Sequence, residues 1–252
     1  EFKIRSINDG ELDLRISPYV QDGNGERPEV IRGKTEIISK DWITFSWKIP
    51  ELTNGIISVF GLEISASAGE LTTIEVEYVD RTGNPSCDLL NSDTFGSQAA
   101  GWINAVDVFE YWNAQVGVQI IQNRGVGIAA IGGKDWCNSR FSATVSPKLA
   151  KRWGLVFHYQ GLERYYFVQF TSNEVAIVRN FYGENVIARK PFVSQWDQIY
   201  EITVAIENEQ IAVFLDGASL ISAAINEQYL TCGGVGYYLD AGRITTTNMH
   251  MY

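Results

Sequence analysis

Apolar and polar positions alternate with a period of two along most of the chain, the pattern of strands with one buried face. Residues 41–50 show it plainly. Trp42, Thr44, Ser46 and Lys48 fall on one side, Ile43, Phe45, Trp47 and Ile49 on the other, and Pro50 ends the run by removing a backbone donor. Residues 3–16 alternate around Asn8, Asp9 and Gly10, which predicts a hairpin. Residues 55–66 and 71–79 predict two further strands joined through residues 67–70. The densest stretch is 153–170, two aromatic and β-branched runs joined at Gly161, Leu162 and Glu163, again a hairpin signal. His158, Gln160, Arg164 and Gln169 interrupt those runs. They predict a hairpin with one core face and one face presenting polar and aromatic groups outward.

Residues 81–101 lose the alternation and gain Gly, Ser, Asn and Asp, which predicts a linker. Beyond Trp102 short strands resume. Breaks fall at Asn123-Arg124-Gly125, Gly132-Gly133, Gly161, Ser172-Asn173, Tyr182-Gly183, Asn208-Glu209, Asp216-Gly217 and Ala241-Gly242. Residues 211–221 read as a strand, a turn and a return strand. Helical periodicity is nearly absent, with single turns expected only at 146–152 and 227–230. The fold class is therefore all-β: two antiparallel β-sandwich (jelly-roll) domains, 1–84 and 102–252, separated by a linker at 85–101.

Composition narrows the partners. Of 252 residues, 45% are hydrophobic and 20% charged, which is globular, and the formal net charge of −10 excludes nucleic acid and anionic membrane as expected partners. No apolar run approaches the roughly 20 residues of a membrane-spanning helix. The chain opens on Glu1 without an initiator Met, so it is expected to start inside something longer or to have been processed.

Few residues offer chemistry. Cys87, Cys137 and Cys232 lack zinc-site spacing and allow at most one bridge; buried thiols are expected. Asp22, Asn24 and Glu26 alternate in a glycine loop as calcium ligands do, but without the remaining ligands a plain turn is expected. Calcium is the one cofactor this leaves open. His158 sits mid-strand and His250 near the end, neither beside a nucleophile, so no catalytic residue is assigned. Glu75 and Glu77 share a strand face about 7 Å apart, a spacing that suits paired carboxylates, yet solvated charges are expected there, as for Glu201, Glu207 and Glu209. The glycines of residues 122–127 lack the following helix that a phosphate loop needs.

Aromatics say more. Seven Trp and twelve Tyr exceed what a small core requires. Sugar rings stack on such side chains while planar polar groups bond the hydroxyls. The candidate ligand-binding residues are His158, Gln160, Arg164, Tyr166, Gln169 and Arg179, with Trp136 and Trp196 near loops. Arg164 leads, because a bidentate cation inside an aromatic hairpin needs a partner, whether a ligand or a carboxylate such as Glu163 or Glu174.

Trp47-Lys48-Ile49-Pro50, Gly61-Leu62-Glu63-Ile64-Ser65 and Ile74-Glu75-Val76-Glu77-Tyr78 resemble closing strands of a galactose-binding-like sandwich. They are followed by Trp102-Ile103-Asn104-Ala105-Val106-Asp107, Gln122-Asn123-Arg124-Gly125-Val126-Gly127, Asp135-Trp136, Gln160-Gly161-Leu162-Glu163-Arg164-Tyr165-Tyr166 and Phe214-Leu215-Asp216-Gly217. That succession is similar to the C-terminal region of bacterial multidomain proteins of the ADP-ribosylglycohydrolase family, from about Leu12 onward. There a galactose-binding-like module, here short for its type, precedes a concanavalin-A/laminin-G-like sandwich. The family's hydrolase activity resides in a separate helical domain, so the resemblance implies no catalytic residues. It implies a non-catalytic accessory region that binds carbohydrate and is joined to an upstream domain. Two alternatives stand: a structural or docking module for a parent enzyme or oligomer, and a polysaccharide hydrolase or lyase.

Overall fold

Two of the glycine-marked breaks turn out to lie inside long strands, and this decides the architecture. The structure, a computed structural model, describes residues 1–7, 14–22, 29–50, 57–66, 73–80, 86–93, 95–98, 101–225 and 229–252. The chain divides into two units, Glu1–Thr82 and Gly83–Tyr252.

The first unit comprises β1 (Phe2–Ser6), β2 (Leu14–Asp22), β3 (Glu29–Arg32), β4 (Glu36–Ile38), β5 (Ile43–Phe45), β6 (Ile57–Ala66) and β7 (Ile74–Val79). One antiparallel sheet has the order β5-β1-β7; in the other, β2 pairs with β3, β4 and β6. The hairpin expected across residues 3–16 therefore does not form, since β1 and β2 belong to different sheets. Ile4, Leu14 and Ile16 are fully buried and meet face to face, with Ile38 beside them. Burying apolar surface between two sheets outweighs local pairing. Residues 8–10, 51–56 and 67–72 lie outside the described residues. Glu75 bonds Arg5 and Glu77 bonds Lys3 across the β1–β7 ladder, so both act as strand charges in ion pairs.

The second unit comprises β8 (Cys87–Asn91), a short helix α1 (Phe95–Gln98), β9 (Ile103–Ala105), β10 (Val108–Asn113), β11 (Gly117–Ile131), β12 (Arg140–Lys148), β13 (Arg152–Gly161), β14 (Arg164–Phe170), β15 (Glu174–Phe181), β16 (Glu184–Pro191), β17 (Tyr200–Glu207), β18 (Gln210–Leu215), β19 (Ala218–Ala224) and β20 (Gly234–Met251). The order is β16-β15-β14-β13-β20-β12-β17-β18-β19. β20 kinks at Ala241 and Gly242, both at positive φ, and β11 shifts register between Gln122 and Val126. The first half of β20 pairs with β13 and the second with β12, so this strand turns the corner between two layers. Leu155, Phe157, Tyr166 and Val168 of one layer pack on Phe141, Val145, Ile202 and Val204 of the other. The unit is an antiparallel jelly-roll sandwich.

Three expectations are corrected here. Much of the 85–101 stretch is structure: β8 pairs with the end of β20, and Leu89, Leu90 and Phe95 are buried, because the polar stretch carries enough apolar anchors to enter the core. Residues 146–152 form no helical turn; β12 reaches Lys148, the chain reverses with Leu149 at φ 58°, and β13 begins at Arg152. Cys137 and Cys232 are joined in a disulfide rather than being thiols, because the isolated bridge pair 137–232 brings their backbones together; Cys87 stands outside it. The turn expected at 227–230 falls largely outside the described residues. Among those described, no helix is long and apolar enough to cross a membrane.

Candidate functional site

β13 and β14 form the predicted hairpin, with Phe157 opposite Tyr166 and Gly161 opposite Arg164. Strand alternation then separates the candidate residues. On β14, Arg164, Tyr166, Val168 and Phe170 face the sandwich core, whereas Tyr165, Phe167 and Gln169 face the outer side. Arg164, Tyr166 and Gln169 thus do not share an outward face. Both faces are covered: the outer one carries Val156, Tyr165, Phe167, Ala176, Val178 and Tyr238 as a second apolar cluster. The interruptions His158 and Gln169, both buried, consequently do not mark an open surface.

Tyr166 is a core residue, stacked on Phe157 at 5.9 Å and edge-on to His158 at 6.2 Å. His158 is buried in a bulge at φ 47°, its Nδ1 bonded to the Leu230 carbonyl at 2.8 Å. Burial lowers its pKa to about 4, opposed by that hydrogen bond, so the ring is neutral near neutral pH. These two expected ligand contacts are corrected to supports. Trp136 supports too: its ring occupies the space a Cβ on Gly132 would take, and its carbonyl accepts from Gly233 N at 2.9 Å, beside the disulfide.

What remains open is the end of the sandwich above them. Gln160 is half-buried and donates to the carbonyls of Cys232 at 2.9 Å and Tyr229 at 3.3 Å. The half-buried Arg164 guanidinium lies 5.5 Å from the Phe181 ring, so its partner is an aromatic face rather than Glu163 or Glu174. Its Nε has no acceptor among the described residues. Half-buried Arg179 lies across the ladder from Tyr166, on the same face. Phe181 contacts Tyr182 edge-on at 5.2 Å and Tyr229 in a stack at 6.1 Å, and those two tyrosines are each 69% exposed. Tyr182 N donates to Glu163 O at 3.0 Å, tying the β15–β16 turn to the hairpin turn. Two exposed rings, a cation and an amide therefore share one rim. Sequence reading missed Tyr182 and Tyr229; the break at Tyr182-Gly183 was the available signal for the first.

Gln169 belongs elsewhere. On the outer face Arg152 bonds Asp240 and Glu184, each at 2.8 Å, and Gln169 at 3.3 Å, with its guanidinium 5.5 Å from the Tyr238 ring. Burial disfavours the Arg152 charge, but the bonds to Glu184 and Asp240 outweigh it and raise the pKa. This network was invisible in the sequence because its members come from four separate strands. Trp196 is 60% exposed in the segment between β16 and β17, remote in the fold from the hairpin turn. Among the described residues no three His, Cys, Asp or Glu side chains converge as metal ligands. Asn24, Glu26 and the side chain of Asp22 lie outside the described residues.

No protein-family model and no curated protein matches the chain. Solved structures do. A carbohydrate-binding module, CBM66, from Bacillus subtilis is 15% identical over 60% of this chain and 94% of its own, with a TM-score of 0.53. A protein of unknown function with a galectin-like fold, also from Bacillus subtilis, is 9% identical over 68% of this chain and 97% of its own, again with a TM-score of 0.53. A sialidase is 10% identical over 75% of this chain and 20% of its own, with a TM-score of 0.50. At such identities the likeness is one of fold.

Proposed function

We propose that the second unit is a carbohydrate-binding module whose ligand lies on the rim formed by Gln160, Arg164, Phe181, Tyr182 and Tyr229. The observation that carries this is the Arg164 guanidinium held over Phe181 beside two exposed tyrosines. A pyranose presents C–H faces to rings and hydroxyls to planar polar groups, and this rim supplies both. The fold shared with a carbohydrate-binding module supports the reading, but fold does not fix function, so the weight rests on the rim. In this proposal the chain is an accessory, concanavalin/laminin-G-like region working beside an upstream domain, as its resemblance to ADP-ribosylglycohydrolase-family C-terminal regions implied. The disulfide accords with an oxidising compartment.

Calorimetric titration of the intact chain with a panel of neutral oligosaccharides tests it. At least one sugar is expected to bind, and Arg164→Ala or Tyr182→Asn to weaken it by about ten-fold. Asn is chosen because Tyr182 sits at φ 55°. Binding left intact by both variants overturns the placement, and silence across the panel overturns the ligand class.

A further inference from the structure

The opposite end of β13 holds a different surface. Ile121, Gln122, Asn123, Lys148, Leu149, Gly242 and Arg243 line an open depression of about 300 Å³, the low end of small-molecule site volumes. Its walls are the two corner irregularities, the β11 register shift and the β20 kink. Gly242 fixes the kink, since it has φ 141° and a Cβ there would lie 2.4 Å from Ala150 Cα and 2.5 Å from Leu149 O.

The cations in it are unevenly paired. Lys148 and Arg243 are directly paired across the β12–β20 ladder, and like charges so placed repel. Asp197 bonds Lys148, which offsets one of them. Arg243 is exposed and makes no hydrogen bond or ion pair among the described residues. A chain of net charge −10 thus holds two adjacent cations here, with Asp197 on Lys148, Asp107 on Asn123 and Arg243 left without an acid among the described residues. Asn123, anchored through Nδ2 to Asp107 at 2.8 Å, leaves its Oδ1 to accept. Leu149, 69% exposed, and Ile121 add apolar surface, and the exposed Trp196 directly precedes Asp197.

We infer that this depression is an anion-reading subsite for an acidic saccharide, with a uronate carboxylate or sulfate on Arg243 and Lys148, a hydroxyl on Asn123 and the sugar's C–H face on Leu149. The inference rests on the carbohydrate reading above and goes beyond it by naming charge as the specificity element. A carboxylate beside two cations forms charge-assisted bonds that a neutral sugar cannot.

The test compares trigalacturonate, its neutral methyl ester and a sulfated trisaccharide against the intact chain and Arg243→Gln, with thermal melting to check folding. Either acidic trisaccharide is expected to bind about ten-fold more tightly than the ester, an advantage that falls with added salt and vanishes in Arg243→Gln. Which of the two binds better separates uronate from sulfate. Equal affinity for the acidic and neutral forms, or a charge preference that survives Arg243→Gln, overturns the subsite and leaves the rim reading standing. No binding of any of these trisaccharides overturns the subsite, whereas the rim reading falls only with silence across the neutral panel. Displacement of trigalacturonate by a short polyglutamate at equal concentration reassigns the hollow to acidic peptide and overturns the saccharide inference.

Discussion

Arg152 on β13 and Glu184 on β16 bond at 2.8 Å although two strands lie between them in the sheet. At about 4.8 Å per strand, a flat sheet would hold these strands some 14 Å apart, a gap the two side chains cross only by both reaching over the face. The bond therefore runs over the outer face, with the Arg152 guanidinium 5.5 Å from the Tyr238 ring, which stacks on Phe167 at 4.3 Å.

The same geometry makes the two partners unequal. Asp240 is 8% exposed and takes its short bond from Arg152, with Lys151 Nζ farther off at 3.7 Å, whereas Glu184 is 39% exposed and solvent can replace its contact. Arg152→Met is expected to cost about 3 kcal/mol and Glu184→Gln under about 1 kcal/mol, read from urea unfolding midpoints. Equal costs would show that the network does not hinge on Asp240.

Reducing the Cys137–Cys232 bridge releases a 95-residue separation in the unfolded chain. A loss of about 2–4 kcal/mol is expected in Cys137→Ser/Cys232→Ser or with reductant, seen as a lower unfolding midpoint. The bridge also holds residues 229–232 against Gln160 and His158, so saccharide affinity at the rim is expected to fall with it. Unchanged stability on reduction would contradict this.

His158 gives a pH dependence with a definite sign. Its folded pKa of about 4 lies below the ordinary imidazole value of 6.5, so between those values the unfolded state binds the proton and the folded state does not. Stability from this residue is complete above pH 6.5 and is lost as pH falls through 4, by about 3 kcal/mol in the limit. His158→Asn, which tolerates the positive φ, is expected to flatten that part of the stability–pH curve. A variant curve parallel to the parent's would refute it.

Gly233 passes under the same bulge, where a Cβ would lie 2.4 Å from the His158 carbonyl carbon and 2.6 Å from Tyr159 N. Backbone cannot yield as a side-chain tip can. Gly233→Ala is expected to cost about 3 kcal/mol or more, measured by thermal or chemical unfolding. Gly217, with nothing within 4 Å but φ 78°, provides the contrast of conformational strain without a clash.

Alternation and turn chemistry, both local properties, determined by themselves that this chain is all-β and where hairpins such as β13–β14 and β18–β19 would form. Even the separation of Gln169 from Arg164 and Tyr166 was legible, because odd and even positions of one strand point to opposite sides. Tertiary structure alone decided which breaks are turns and which are kinks: Gly242 reads like Gly217 in sequence, yet one bends a strand around a corner and the other ends one. It also decided which polar residues meet. Arg152, Gln169, Glu184 and Asp240 lie on four strands, and their convergence depends on strand order and register, which are set only when distant strands close into layers.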